Sequence, residues 1–482
     1  MNELLDRLRD PFREFPFADS AWVVGGAVRD AFAGIASTDA DIVVRGDAES
    51  AAGSLARATR GGRFLLSKTF GSWRVHGGSL PFTVDITPLQ GADLTEDLSR
   101  RDFTVNAVAV PIRNGVVVDP YAGQADRAAA RLRMVDASAF RRDPVRLMRL
   151  VRLARQHGFT PEPATVAQAR IDAALVNDAP PERVMDELVR IVHTAEAWRG
   201  FELMDEIGVL GALVPQLDEA KGMQQSANHH KDVFGHVMEV VRYTCELVAD
   251  PEPVFRSLAP RVSDHLATPL ADQLTRGQAL VLAAVFHDVA KPATRGETPE
   301  GYITFIGHDQ LGVEMAERWC DEHRTSRQLA RFIADCVRHH LVLGFLVRHQ
   351  PLSLRQIDRY LRTVEPVQVE QSVLTVADRL AARGPRFRQS AIDAHLALSR
   401  EVLRVHFDQV DNPVKLPIDG AEISKKLGIE PGPWLKDLLV ALREEQLVRE
   451  LLTSEKAFAF AESWVSKADM RAFEHRHRPN RR

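Results

Sequence analysis

The sequence contains few cysteines, no long apolar run and no excess of charge of one sign, and each of these absences excludes a class of protein. It contains three cysteines, Cys245, Cys320 and Cys336, an odd number without the close spacing of a metal site. This excludes a disulfide scaffold and predicts a chain that works in a reducing, cytoplasmic compartment. No apolar run is long enough to cross a bilayer, so we expect no membrane anchor.

An excess of positive charge is also missing. The net charge of the 482 residues is −4, which excludes a uniformly basic protein. Any surface that binds nucleic acid must therefore be local. Short repeats and low-complexity tracts are absent, and the length predicts more than one domain. The oligomeric state does not follow from the sequence.

What the sequence does contain, near its start, is a glycine turn between a strand pattern and a helix pattern. The apolar run ends at Gly25 and Gly26, and Arg29 follows one turn into the helical pattern. Paired glycines let the backbone approach a ligand and leave helix-start N–H groups available, which is a ready anion site. The planar fork of Arg29 suits a phosphate.

Two further strand patterns carry acids beside this turn. Because side chains alternate along a strand, Asp39 and Asp41 share one face while Ile42 and Val44 face the core. Run 82–87 alternates in the same way and places Asp85 on its polar face. Carboxylates beside a phosphate cradle suit a pair of Mg²⁺ ions that hold a nucleoside triphosphate. The simpler alternative is a tight turn followed by solvated acids.

These stretches together resemble the signature of the DNA polymerase β-like nucleotidyltransferases, in particular the branch of bacterial tRNA CCA-adding enzymes and poly(A) polymerases. Run 100–107, Arg-Arg-Asp-Phe-Thr-Val-Asn-Ala, matches a further motif of that family. The carboxylates to which the resemblance assigns catalysis are Asp39, Asp41 and Asp85, the first two as Mg²⁺ ligands. The residues that it assigns to the ribose and the nucleotide are Arg100, Arg101 and Asp102.

An arginine-rich helical pattern follows in run 141–155, which has one acid among six arginines. A carboxylate accepts from the exocyclic amine of C or A, and an arginine one turn further donates to the adjacent ring acceptor. Asp143 and Arg146 therefore predict a protein template that selects C and A. The alternative is structural, with Asp143 as a helix cap, Pro144 at the first helical position and the arginines as a solvated face.

This run resembles the template motif of the same family, Glu-Asp-x-x-Arg. It departs from the motif at Arg142, where glutamate is usual, and it retains the aspartate and the arginine that face the base. The resemblance extends nucleotide binding to Arg149 and Arg152. Run 181–188 resembles a later family helix that buttresses the template helix.

A second group of residues suggests a metal centre in the other half of the chain. An adjacent histidine and aspartate follow an apolar helix pattern, and further histidines and an aspartate lie on either side. This order resembles the two-metal members of the HD superfamily of phosphohydrolases, which use a metal-activated water on a phosphoester. The ligands that it predicts, for a divalent transition metal or Mg²⁺, are His236, His287, Asp288, His308, His339 and Asp378. We expect His229 and His230 not to be ligands.

The resemblance implies an α+β architecture. Its parts are a nucleotidyltransferase head with a mixed sheet (1–135), an all-helical neck (136–220), an HD domain (221–400) and a helical tail (401–482). The function implied is template-independent addition of C and/or A, from CTP and ATP, to the tRNA 3′ end.

The nucleotide added is a separate expectation. Only fourteen residues separate Asp85 from Arg100, a short form that resembles enzymes adding CC alone. Full CCA-adding relatives often have a longer mobile loop there. Two alternatives stay open: an HD phosphohydrolase whose transferase half only binds RNA, and a poly(A) polymerase.

Overall fold

The computed structural model describes residues 18–36, 38–80, 82–113, 116–226, 229–385, 387–449 and 453–467. The chain forms two compact units, Met1–Asp218 with Glu322–Thr325 and Glu219–Asp321 with Ser326–Arg482. The first residues of the predicted head and the end of the predicted tail lie outside the described residues. The three boundaries between the four predicted domains stay a prediction.

The first unit is built on a six-stranded mixed sheet. Its strands are β1 (Ala21–Val24), β2 (Asp39–Val44), β3 (Gly62–Ser67), β4 (Ser72–His76), β5 (Thr83–Pro88) and β6 (Ala109–Pro111). Their order across the sheet is β3-β4-β5-β2-β1-β6, in which β2 and β5 are parallel and the other neighbours antiparallel.

The register of the sheet aligns one side chain from each of four strands on the same face. Asp41 lies opposite Asp85, Asp85 opposite Arg74, and Arg74 opposite Phe64. Residues paired in this way share a face, so these four side chains form a row across the sheet. The opposite face is the core of the unit, with Ile42, Val75, Val84 and Ile86 all buried.

The first helices of this unit lie between its strands, and the others follow the sheet. They are α1 (Gly26–Phe32), α2 (Ala48–Thr59), α3 (Leu94–Ser99), α4 (Gly123–Ala128), α5 (Ala139–Arg142), α6 (Arg146–His157), α7 (Pro163–Asp172), α8 (Pro181–Val192), α9 (Ala197–Glu206), α10 (Val209–Leu213) and α11 (Pro215–Glu219). The α+β class predicted for the head and the helical character predicted for the neck are confirmed.

The structure of run 141–155 differs from the structural alternative, in which Asp143 caps a helix that begins at Pro144. Asp143 does not cap the helix and Pro144 is not its first residue: the helical conformation breaks between α5 and α6, and α6 begins two residues after Pro144 with Val145 at the N-cap. Asp143 is extended, with φ −152° and ψ 98°, and α6 begins at Arg146 without a side-chain cap. The ring of Pro144 disfavours helical geometry at the residue before it, which accounts for the break.

The second unit is almost entirely helical. Its helices are α12 (Val233–Ala249), α13 (Glu252–Phe255), α14 (Ala259–Leu266), α15 (Arg276–Phe286), α16 (Lys291–Thr294), α17 (His308–Glu322), α18 (Arg327–His339), α19 (Val342–Leu346), α20 (Leu354–Thr363), α21 (Gln368–Ala381), α22 (Gln389–Asp411), α23 (Gly420–Leu427), α24 (Pro433–Arg449) and α25 (Ser454–Lys467). The central helix α15 is buried along most of its length and packs against α12 and α18. Among the described helices, none combines the length and the apolar character that a membrane crossing needs.

Candidate active sites

The three predicted catalytic carboxylates lie together on the polar face of the sheet, Asp39 and Asp41 on β2 and Asp85 on β5. Burial raises the pKa of Asp41, and the charges of Asp85 and Asp39 add to this rise against the opposing effects of Arg101 and Arg149. Crowded, partly desolvated carboxylates bind a divalent cation favourably, because the cation relieves their mutual repulsion. The residues present therefore fit a divalent metal.

Sequence reasoning missed the partner of Asp85. Arg74 on β4 holds that carboxylate through two hydrogen bonds, from Nε to Oδ1 and from Nη2 to Oδ2, both 2.7 Å long. Asp85 therefore faces Asp41 with its charge already paired, and its role as a metal ligand stays a prediction. The alternation of run 72–76 was the available signal, since it places Arg74 on the polar face of its strand.

The glycine turn runs directly beside the carboxylates. Gly25 has φ +72°, and a Cβ atom there would lie 3.1 Å from both Asp41 Oδ2 and Arg101 Nη1. Only glycine fits without strain, because other residues rarely adopt this conformation and the neighbours leave little room. Arg29 is buried, and its guanidinium donates to Asp30 and to Asn106, each at 2.8 Å. Its contact with a triphosphate stays a prediction.

A cavity of about 1280 Å³ opens beside this turn. The predicted nucleotide-binding residues that line it are Gly25, Gly26, Arg100, Arg101, Asp102, Asp143, Arg146 and Arg149, together with the catalytic Asp41. Two further arginines, Arg142 and Arg183, belong to the same wall. The cavity thus combines a carboxylate cluster with many guanidinium groups, which suits a polyanion bound through a metal.

Asp102 is a buried negative charge in the wall of the cavity. Its burial alone would raise its pKa, but Arg149 at 3.1 Å, the Asn106 amide, Arg146 and the Phe103 N–H together lower the pKa to about 2. The carboxylate is therefore ionised at neutral pH and able to accept from a hydroxyl of the ligand.

The two predicted base-reading residues both reach the cavity, and each has a protein partner. Asp143 accepts two hydrogen bonds from Arg183 of α8, at 3.1 and 2.8 Å. Arg146 donates to the main-chain carbonyls of Arg100 and Ala139, at 2.6 and 3.1 Å. Sequence reasoning missed Arg183, which lies forty positions beyond the aspartate that it holds.

Arg152 lies behind the wall. Its guanidinium is buried and binds Glu187 of α8 and Gln156 of its own helix. The packing of α8 against α6 is the buttress that the resemblance of run 181–188 implied. The predicted contact of Arg152 with the nucleotide stays a prediction.

The second unit holds a cluster of six potential metal ligands. One triad is His236, His287 and Asp378, and the other is Asp288, His308 and His340, with the ligand atoms of each triad within 4.8 Å of one another. Asp288 joins the triads, because its Oδ2 lies 3.2 Å from His287 Nε2 and its Oδ1 lies 3.3 Å from His308 Nε2. This arrangement suits two divalent ions with a shared carboxylate.

The histidine rings are held so that Nε2 faces the centre. His287, His308 and His340 each donate from Nδ1 to the main-chain carbonyl three residues earlier, at 2.8, 2.6 and 2.6 Å. Second partners of this kind fix the tautomer and the orientation of metal-bound imidazoles. The buried Nε2 atoms of His236 and His287 face carboxylate oxygens at 3.0 and 3.2 Å without hydrogen-bond geometry, which fits an ion between them.

The structure corrects one predicted ligand of this cluster. His340, which is 1% exposed, takes the place expected for His339. Helix α18 ends at His339, and successive residues of a helix point about 100° apart, so only one of the two rings faces the centre. Burial lowers the pKa of His340 to about 4, which keeps the ring neutral, as a metal ligand must be.

Lys291 is a neighbour of the cluster that sequence reasoning missed. Its buried ammonium lies 2.6 Å from Asp288 Oδ2 and donates to Gln225 at 2.9 Å. Its position three residues after Asp288, at the start of α16, was the available signal.

Comparison with known proteins agrees with this geometry. Family models match the chain as a poly A polymerase head domain (21–133), a probable RNA and SrmB-binding site of polymerase A (158–221) and an HD domain (233–383). The chain is 33% identical over 459 residues to an A-adding tRNA nucleotidyltransferase of Deinococcus radiodurans, covering 94% of this chain and 97% of that one.

Two further proteins extend the comparison. A CC-adding tRNA nucleotidyltransferase of Thermus thermophilus is 31% identical, with 94% and 95% of the two chains covered. A solved CCA-adding enzyme in complex with CTP shares the fold, with a TM-score of 0.68, 18% identity and coverage of 96% and 95%. The chain therefore belongs to the tRNA nucleotidyltransferase family, with a poly A polymerase head domain and an HD domain.

Proposed function

We propose that this chain adds C and/or A, from CTP and ATP, to the 3′ end of tRNA without a nucleic-acid template. The observation that carries the proposal is the row of Asp39, Asp41 and Asp85 on one sheet face, at the edge of a cavity walled by arginines. The relatives named as tRNA nucleotidyltransferases support it. We place the activity in the cytoplasm, because the three cysteines are buried thiols that suit a reducing compartment.

Each part of the cavity has a task in this reaction. Asp39 and Asp41 hold the divalent ions, for which we propose Mg²⁺, and such ions supply activation of the RNA hydroxyl and charge neutralisation at the pyrophosphate. The Gly25 turn gives the triphosphate access to the carboxylates, and Arg101 and Arg149 balance its charge. Asp102 accepts from the ribose hydroxyl, and Asp143 with Arg146 faces the base.

We further propose a preference for C. The link between β5 and α3 is only residues 89–93, and its backbone is held because Gln90 N–H donates to Asp97 at 2.9 Å and Ala92 N–H donates to Glu96 at 2.8 Å. A short, hydrogen-bonded link has little of the mobility that family resemblance associates with the switch from C to A. The relatives do not indicate which nucleotide is added, since one is named as an A-adding enzyme and the other as a CC-adding enzyme.

The test is incorporation of labelled CTP or ATP by the purified chain, with Mg²⁺ and tRNA that lacks its 3′-terminal CCA. We expect addition of C, and a loss of about 10³-fold or more in Asp41→Asn, because metal-held charge contributes several kcal/mol to such transition states. The exposed Glu49→Gln on α2 is the control. Efficient terminal A addition would overturn the C preference.

Two other outcomes would favour the alternatives. Phosphodiester cleavage without incorporation would indicate that the HD centre carries the activity. Long A tails on arbitrary RNA, without use of CTP, would indicate a poly(A) polymerase.

We also propose that the second unit is a metal-dependent phosphohydrolase, on the evidence of two adjacent ligand triads that Asp288 joins. Four imidazoles and two carboxylates suit a divalent transition metal. Metal analysis of the purified protein should find two ions per chain at this centre, one in His340→Ala and none in Asp288→Asn. His339→Ala, a change to the adjacent residue, should keep both; equal loss in the two histidine variants would contradict the assignment.

A further inference from the structure

The polar face of the sheet continues beyond the carboxylates to an exposed edge. Next to Asp85 stands Arg74, and opposite Arg74 stands Phe64 on the edge strand β3. Phe64 is 46% exposed, and its ring lies 5.8 Å from that of His76. An aromatic pair therefore extends the row of catalytic side chains on the same face.

A second exposed aromatic side chain lies in the turn between β3 and β4. Phe70 is 59% exposed and lines the same cavity as Asp41, beside Ser72 and Thr87. Hydrogen bonds order this turn. The N–H of Phe70 donates to Ser67 Oγ at 3.3 Å, and Ser72 Oγ lies 2.9 Å from Thr87 Oγ1. Phe64 on the carboxylate face and Phe70 at the rim of the cavity thus present two exposed aromatic rings on the β3 and β4 side of the catalytic carboxylates.

The strand order assigns this part of the face to one of the two substrates. The glycine turn follows β1, on one side of β2, whereas Phe64 and Arg74 lie on the other side, beyond β5. Nucleotidyl transfer needs the attacking hydroxyl and the leaving pyrophosphate roughly in line on opposite sides of the phosphorus. If the triphosphate occupies the glycine side, the RNA hydroxyl arrives from the β4 and β3 side.

We propose that Phe64 and Phe70 stack on the unpaired bases at the 3′ end of the acceptor RNA and so bring its terminal hydroxyl to the carboxylates. Unpaired bases are recognised by stacking on exposed aromatic rings, and Arg74, 35% exposed, adds positive charge between them and Asp85. The inference rests on the proposed transfer to RNA. A partner strand pairing with the edge of β3 is the competing occupant.

The test uses Phe64→Ala and Phe70→Ala, with Leu65→Ala as the matched control. Leu65 is on the same strand, 38% exposed and on the opposite face, since it pairs with Trp73. We expect either phenylalanine variant to raise the KM for tRNA about tenfold, as the loss of one stacking contact predicts, with the KM for CTP unchanged. Phe64→Trp and Phe70→Trp keep a stacking ring and should retain the parent KM for tRNA, as should Leu65→Ala.

A modified RNA separates stacking from a general structural effect. An acceptor whose last nucleotide has no base but keeps its 3′-hydroxyl should bind the parent protein about tenfold more weakly, and the Phe70→Ala variant should show no further loss. Fluorescence anisotropy with this RNA, without nucleotide, measures binding even if no incorporation occurs, so failure of the proposed function is distinguishable. Unchanged RNA affinity in Phe64→Ala and Phe70→Ala would overturn the inference, and a change in self-association in its place would favour the competing occupant.

Discussion

Asp102 illustrates how single residues keep their charge in the nucleotide cavity. It is buried, and Arg149 and Arg146 hold its pKa at about 2 instead of the ordinary 3.8. A depressed carboxyl pKa stabilises the folded protein above the unfolded pKa, and this contribution is lost as the pH falls through the folded pKa. The carboxylate proposed to bind the ribose is thus also a stabilising residue.

Asp102→Asn should lower the free energy of unfolding at neutral pH by about 2 kcal/mol, with a further loss because Arg149 is left buried without its partner. The gap between variant and parent should narrow as the pH falls from about 4 to about 2, since the parent then loses its charge. Urea unfolding across this range measures the gap. Asp186→Asn, whose partner Arg190 is half-exposed, should show a small gap; a pH-independent gap for Asp102→Asn would contradict the prediction.

The sequence predicted residue types better than it predicted which of two neighbours is used. His339 and His340 are indistinguishable as a pair in sequence, and the choice depends on where α18 ends. In the same way, the partners of Asp85 and Asp143 come from other strands and helices. A local pattern can place such a residue on the polar face of its strand, as alternation does for Arg74, but which residue it pairs with depends on how the strands and helices assemble.

At the scale of elements, alternation in β2 and β5 predicted the shared carboxylate face, and the structure has it. The order of strands was not predictable from periodicity, so the continuation of that face to β4 and β3 came only from the structure. Pro144 predicted the start of a helix, but α6 begins two residues later, at Arg146, after a break in the helical conformation. This break leaves Asp143 extended, in contact with α8.

Helix α8 therefore positions the aspartate proposed to read the base. In Arg183→Ala, Asp143 loses its bidentate partner and gains freedom, so preference for CTP over UTP should fall about tenfold, at the low end of what a bidentate base contact supplies. Stability should change little, because the pair is half-exposed. Single-nucleotide incorporation with each triphosphate measures the preference.

The control for this change lies on the same helix. Arg190→Ala removes an exposed ion pair with Asp186, and both of these residues lie on α8. It should leave nucleotide preference unchanged. Equal effects of the two arginine variants would mean that α8 acts through its packing and not through Asp143.

At the scale of the whole molecule, each proposed centre lies entirely within one compact unit. The carboxylate row and its cavity belong to the first unit, and both histidine triads belong to the second. The two chemistries therefore have separate ligands and separate walls.

We expect that nucleotide transfer and phosphodiester hydrolysis can each be abolished while the other activity is kept. His287→Ala should abolish hydrolysis of a phosphodiester such as bis(p-nitrophenyl) phosphate and leave CTP incorporation at the parent rate. Asp41→Asn should do the reverse. Parallel assays on one preparation of each variant measure this, and a substitution that silences both activities would show that the centres are coupled.

The anchored imidazoles of the histidine cluster have one more consequence. The main-chain carbonyls three residues earlier already hold the rings of His287, His308 and His340. These side chains therefore lose their rotational freedom when the chain folds and not when an ion binds. A chelator should then remove the ions from the histidine cluster without unfolding the helices around it. The choice of ion should then depend on how well it fits the fixed positions of these three imidazoles.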